Sequence, residues 1–153
     1  MADEWKNLTL NEAQQRKYFG FSGWLLVVYA VALLLQLWHL NSAVGSGEAL
    51  AVMFEGEENA AIMRAVKWIQ VLVWLPFFVL APLKHRLAPV AAIAAAVLAM
   101  AAEVGAVTLM MNIAANKQIV IVVMNLMIML LFVIYMLRSK RVNLTYLLRE
   151  RTA

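Results

Sequence analysis

Apolar positions along this chain fall into four long runs, and the polar positions collect between and outside them. A polar amino-terminal segment gives way to an apolar run from about Phe21 to Leu40, and further runs cover about Ile62 to Leu83, Leu87 to Ile113 and Gln118 to Leu137. A helix rises 1.5 Å per residue, so roughly 20 apolar residues cross about 30 Å of hydrocarbon. Each run has that length, and the third is long enough to require tilt or an extra interfacial turn. The pattern predicts an all-α membrane protein: a four-transmembrane-helix bundle forming one domain over residues 1–153. The first run is long, follows a polar segment and lacks a clear small-residue cleavage site, so it reads as a retained span rather than a secretory signal.

Composition agrees with the pattern. Hydrophobic residues make up 65% of the chain and charged residues 14%, against about half and about a quarter in a soluble domain. There is no cysteine, which excludes disulfide exchange, thiolate metal sites and thiol catalysis, and with them the four-helix thiol oxidoreductases. A pI near 9.6 and a net charge of +4 could suggest nucleic acid. The basic residues flank spans, however, where attraction to anionic headgroups accounts for them, so no nucleic-acid partner is expected.

The distribution of Lys and Arg predicts orientation, because cytoplasmic loops carry the excess. Lys6, Arg16 and Lys17 precede the first span, Lys84 and Arg86 lie in the second connection, and Arg138, Lys140, Arg141, Arg149 and Arg151 follow the last. All of these share one side. The other side has Lys117, with Arg64 and Lys67 at the start of the second span, against Glu48, Glu55, Glu57 and Glu58. Both termini are therefore expected in the cytoplasm of a bacterial inner membrane, with Lys84, Arg86, Arg138, Lys140 and Arg141 contacting lipid headgroups.

Outside the spans, three segments suggest short helices. The external connection from Asn41 to Ala61 carries Leu50, Met53 and Phe54 at helical spacing beside glutamates, which fits either an amphipathic helix or a solvated acidic loop. Thr9 and Glu12 have capping-box spacing ahead of the first span. In the tail, Leu144, Leu147 and Leu148 recur at three- and four-residue spacing beside Arg149 and Arg151, as an interfacial helix or partner-docking segment would. Trp24, Trp38, Trp68 and Trp74 fall mostly near span ends, where amphipathic rings favour the headgroup layer. Pro76 is placed to kink the second helix, and Pro82 and Pro89 bracket the following turn.

Polar residues inside the spans are the candidate chemistry. Glu103 lies within the third run, where an ionised side chain costs about 2.5 to 3.5 kcal/mol or more near the centre. It must be protonated, partnered or wet. Its helical neighbours Ala96, Ala99, Met100, Ala106, Val107 and Met110 make a mostly small face, which points it into the bundle. Counting 1.5 Å per residue places Glu103, Asn125 and Gln70 within roughly 3 to 5 Å of the midplane, and Gln36 and Lys67 roughly 8 Å out. They could form one polar cluster, with Lys67 one turn from Gln70. In one reading a neutral Glu103 donates a hydrogen bond to Asn125 or Gln70 and holds helices together. In the other it exchanges a proton, or binds a cation or headgroup, in a wet cavity.

Other features carry less. His39 and His85 fall on opposite sides and cannot share a haem or metal, so no metal site and no cofactor is expected. Met100, Met110, Met111, Met124, Met127, Met129 and Met136 form a soft stripe that reads as core or lipid-facing filler. No phosphate loop, nucleophile elbow or paired-histidine motif is present, and no catalytic residue is assigned. The Asn-x-Thr triplets at Asn7 and Asn143 lie on the cytoplasmic side and should carry no glycan.

Two short motifs add a resemblance. Ser22, Gly23, Trp24, Leu25 and Leu26 open the first span, while Tyr135, Arg138, Ser139, Lys140, Arg141 and Val142 close the last, followed by Tyr146 and Arg149. In this the chain resembles the bacterial inner-membrane family catalogued as domain of unknown function 2569, with its Gly-Gly-Trp-Leu start and Ser-Lys-Arg-Val tail; Ser22 stands where that family usually has its first glycine. The resemblance implies a four-span fold and a bacterial cytoplasmic membrane, and no activity. The expected role is a non-enzymatic accessory or binding component of a membrane complex or envelope process. Its expected partners are the lipid bilayer, protein subunits and a second copy in a homodimer. The alternatives are a transporter subunit or proton-coupled carrier using Glu103, and a lipid- or quinone-handling protein.

Overall fold

The computed structural model describes residues 5–45, 57–109 and 116–151, whose regular elements are helices apart from one pair of three-residue strands. In chain order they form β1 (Trp5–Asn7), α1 (Leu10–Gln14), α2 (Trp24–Val44), α3 (Glu57–Leu80), α4 (Ala88–Leu109), α5 (Asn116–Arg138), α6 (Lys140–Tyr146) and β2 (Arg149–Arg151). Three helices, Trp24–Val44, Glu58–Leu80 and Ala88–Thr108, are long and apolar enough to cross a membrane. A fourth span results if α5 and α6, bent by 60°, are counted as one. The amphipathic helix expected around Leu50, Met53 and Phe54 and the outer end of the third run lie outside the described residues.

Local chemistry shifts the helix bounds from the apolar runs. Gly20 at φ 105° and Gly23 at φ 55°, ψ −137° hold backbone conformations that favour glycine and lie outside the helical region, so α2 starts at Trp24. Phe21 is left outside the helix but packs on the core. At its far end α2 continues past Leu40 through Asn41 and Ser42, whose hydroxyl donates to the Trp38 carbonyl at 3.0 Å. α3 starts upstream of its apolar run, with Glu57 and Glu58 in the first turn, where acidic residues favour the positive end of the helix dipole. It continues through Pro76, close to its end. Lys84, in the left-handed region at φ 53°, then reverses the chain. Pro89 enters α4 in its first turn, where its missing N–H costs nothing.

Packing follows side-chain size. α4 presents Ala88, Ala92, Ala95, Ala96 and Ala99, all buried, and this small face lets α3 approach closely. α3 fills the centre with aromatic rings. Trp74 and Phe77 each meet Phe132 of α5 edge to face, at centroid distances of 4.9 and 5.7 Å, and Tyr29 of α2 meets Phe78 in the same manner at 5.4 Å. α3 packs on both α2 and α4, and α4 packs on α5. α2 and α5 are therefore the flanking helices, facing each other across an open side.

The first and last described segments are tied together at one end of the helices. β1 and β2 pair antiparallel, with Trp5 opposite Arg151 and Asn7 opposite Arg149. Leu8, Ala13 and Leu144 form a small core beside them. The Tyr146 hydroxyl donates to the Ala81 carbonyl at 3.1 Å, and the Gly20 amide donates to Thr145 Oγ1 at 3.0 Å. The tail expected as an interfacial helix or partner-docking segment carries a short helix, α6, and packs against the end of the bundle. α6 ends at Tyr146, its residues Val142 to Tyr146 are buried, and Leu148 turns through φ 49° into β2. The leucines at helical spacing cover the bundle end, and the backbone beyond them finds partners in β1. The amino-terminal capping box forms as read, with Glu12 Oε2 accepting from the Thr9 amide at 2.7 Å, although α1 is only 5 residues long.

Candidate functional site

α3, α4 and α5 each turn one polar side chain inward at the same level, and these meet. Gln70 Nε2 donates to Glu103 Oε1 at 2.6 Å, and Asn125 Nδ2 donates to the same oxygen at 3.1 Å. Lys67, one turn from Gln70, donates from Nζ to Gln70 Oε1 at 3.2 Å and lies 3.8 Å from Glu103 Oε1. Glu103 is 1% exposed and Gln70 is fully buried.

The order of donors fixes the chemistry. An ammonium can only donate, so it holds Gln70 with its carbonyl oxygen toward Lys67 and its amide nitrogen toward Glu103. Glu103 Oε1 consequently accepts from two amides, with the Lys67 ammonium 3.8 Å away. Both amides donate to Glu103, the reverse of the reading in which Glu103 donates to Asn125 or Gln70, and for Gln70 the ammonium sets that direction. Opposite charges in contact, with amide donors on the carboxylate, are the arrangement that makes a buried ion pair tolerable.

Gln36, expected in the same cluster, is placed elsewhere. It is buried on α2 and faces the open side, where a cleft of about 350 Å³ separates α2 from α5. Val28, Leu35 and Gln36 of α2, Asn125, Met129 and Phe132 of α5, and Trp74 of α3 are among its walls. Asn125 thus belongs to both features: it donates to Glu103 and it lines the cleft.

Among the described residues, four side-chain atoms in the cleft wall are buried without a hydrogen-bond partner: Gln36 Oε1, His39 Nδ1, Trp74 Nε1 and Tyr135 Oη. Leaving such a group unsatisfied typically costs about 1 to 3 kcal/mol, so a concentration of them in one cleft calls for an explanation. Sequence reading passed over His39, Trp74 and Tyr135 as site residues. A signal existed for two of them, since His39 follows Gln36 by three positions and Trp74 follows Gln70 by four, the spacings that share a helix face. Trp74 differs from Trp24 and Trp38 in being 3% exposed where they are 74% and 69%. It is a core residue and takes no part in an interfacial belt.

The basic residues expected at headgroups gather at the end of the helices that holds β1 and β2. Lys84 and Arg86 are exposed in the α3–α4 turn, and Arg138 and Lys140 are exposed on either side of Ser139. Arg141 is half-buried: its Nη1 donates to Ser22 Oγ at 2.7 Å and its guanidinium lies over the Tyr18 ring. The two motifs that carry the resemblance are therefore in contact, and Ser22 supplies the acceptor. No family model, curated protein or solved structure matches this chain. The resemblance rests on those motifs alone.

Proposed function

We propose that this protein is a four-helix bundle of the bacterial inner membrane with both termini in the cytoplasm, and that it serves there as a non-enzymatic binding component of a membrane complex or envelope process. The observation that carries the reading is the enclosure of Glu103: its carboxylate has Lys67, Gln70 and Asn125 on one oxygen and is 1% exposed. A carboxylate so held acts as a clasp between α3, α4 and α5, and the surface left for a ligand or partner is the cleft between α2 and α5. The orientation is supported by the exposed cations Lys84, Arg86, Arg138 and Lys140 at the end that holds β1 and β2. A periplasm-active reporter fused at the carboxyl terminus should be silent and one inserted at Gly47 active; the reverse pattern would invert the topology.

Two observations favour a second reading, a proton-coupled carrier. Glu103 Oε2 has no partner among the described residues, and Asn125 connects the carboxylate to the cleft. Proton flux separates the two. Purified protein is reconstituted into vesicles containing a pH-sensitive dye, and a potassium diffusion potential is applied. The binding-component reading expects flux equal to that of empty vesicles for both the wild type and Glu103→Gln. Flux above that level in the wild type, abolished in Glu103→Gln, would establish the carrier.

A further inference from the structure

Exposed cations at the β1–β2 end of the bundle lie near a single plane. Tyr29 of α2 meets the Phe78 carbonyl of α3, so Trp24, earlier on α2 by more than a turn, is level with the turn after α3 that carries Lys84 and Arg86. α5 runs parallel to α3, and the rings of Phe132 and Trp74 lie 4.9 Å apart. Arg138, further along α5, is therefore level with Leu80, the last residue of α3. Lys140 follows across the bend at Ser139. The levels of Lys84 and Arg138 agree to within about one turn, roughly 5 Å. Lys84, Arg86, Arg138 and Lys140 are all exposed, and Trp24 is exposed at the same level.

Among the described residues, none of these four cations has an ion-pair partner, and the carboxylates at this end, Glu12 and Glu150, are held by Thr9 and Arg16. Lys84 rests over the Phe19 ring at 5.6 Å, a contact that supplies no counter-charge. Exposed leucines stand beside the cations. Leu83 precedes Lys84, Leu87 follows Arg86 and Leu137 precedes Arg138, with exposures of 71%, 50% and 55%. A soluble anionic partner would satisfy the charges and leave the leucines in water. A phospholipid carries phosphate and hydrocarbon in adjacent layers and satisfies both. Cations beside apolar side chains, repeated on separate elements at one level, match the headgroup boundary of an anionic leaflet.

We propose that Lys84, Arg86, Arg138 and Lys140 form a belt that enriches anionic phospholipid around the β1–β2 end of the bundle, with phosphates on the cations and acyl chains on Leu83, Leu87 and Leu137. The belt residues are not walls of the cleft between α2 and α5, so the enrichment holds whether or not the cleft takes a ligand.

The experiment compares two full-length variants that each keep a single tryptophan, Trp24 or Trp38, with the others replaced by Phe. Trp38 is 69% exposed and lies toward the opposite end of α2. Each is reconstituted in phosphatidylcholine vesicles containing either brominated phosphatidylglycerol or brominated phosphatidylcholine at the same mole fraction, because bromine quenches indole only on contact. Trp24 should be quenched about twofold more effectively by the anionic lipid than by the zwitterionic one, and Trp38 about equally by both. The preference at Trp24 should shrink in Lys84→Gln/Arg86→Gln and in Arg138→Gln/Lys140→Gln, and vanish when the two pairs are combined. Equal quenching of Trp24 by both lipids would overturn the proposal. So would the same preference at Trp38, which is general attraction to a cationic protein, or a preference that survives the fourfold variant. Replacing Trp74, which is 3% exposed, could unfold the single-tryptophan proteins, so the protein with all its tryptophans is measured as well. Spin-labelled phosphatidylglycerol should show a larger motionally restricted fraction than spin-labelled phosphatidylcholine around the wild type, and an equal fraction around the fourfold variant. Equal fractions around the wild type would overturn the proposal.

Discussion

Removing the Lys67 ammonium alone should harm this protein more than removing the whole ion pair. Lys67 Nζ lies 3.8 Å from Glu103 Oε1, and the two side chains are 11% and 1% exposed. At an effective dielectric constant of about 20, unit charges at that separation attract by about 4 kcal/mol. The net contribution is smaller, because both groups also lose hydration. Lys67→Met leaves the Glu103 carboxylate with only the Gln70 and Asn125 amides, and an uncompensated buried charge of this kind typically costs about 3 to 5 kcal/mol. Adding Glu103→Gln removes the charge and keeps the shape and most of the hydrogen bonds. The double variant should therefore return to within about 1 kcal/mol of the wild type, in line with the small net worth of interhelical polar contacts in membranes. Equilibrium unfolding in mixed micelles, with SDS as the denaturant, measures all four corners of the cycle. Destabilisations of the single variants that simply add in the double variant would refute the clasp, since uncoupled side chains give additive effects.

Three further outcomes are expected. Gly23→Ala should destabilise by about 1 to 3 kcal/mol, because Gly23 has φ of 55° and an added Cβ would sit 3.1 Å from Arg141 Nη2; unchanged unfolding in the same micelle titration would refute this. Ala99→Leu, in the close face between α3 and α4, should cost about 1 to 3 kcal/mol by overpacking, while Leu34→Ala on the exposed side of α2, where Leu34 is 65% exposed, should cost little; equal losses would mean that α4 is not closely packed. The Thr9 amide and hydroxyl hold the Glu12 carboxyl below the usual carboxylate range. The folded-state value is lowered, so the support Glu12 gives α1 is present above its unfolded value and is lost as pH falls through the folded one. Hydrogen exchange of the α1 amides should accelerate in that acidic window in the wild type and show no such step in Glu12→Gln.

The sequence by itself determined the number and approximate place of the long helices, because hydrocarbon thickness sets the length of an apolar run. Capping chemistry made the start of α1 equally legible, since Thr9 and Glu12 need only each other. That Glu103, Gln70, Asn125 and Lys67 meet could be read by counting rise per residue, because all four lie on long helices of one known pitch. The tertiary structure decided what counting cannot. Which way the hydrogen bonds run depends on Lys67 orienting Gln70, a matter of three atoms in space. Gln36 has the depth to join the cluster but the wrong azimuth, and rotation of α2 is set by Tyr29 and Leu25 packing on α3 and its neighbours, not by hydropathy. The tail leucines repeat at amphipathic spacing, yet Leu148 breaks the helix because the backbone after it finds a strand partner nearly the whole chain away. The cleft, finally, belongs to no segment. It exists because α2 and α5 flank α3 and α4 without closing on each other, and the order of helices around a bundle is a property of side-chain sizes at several interfaces at once.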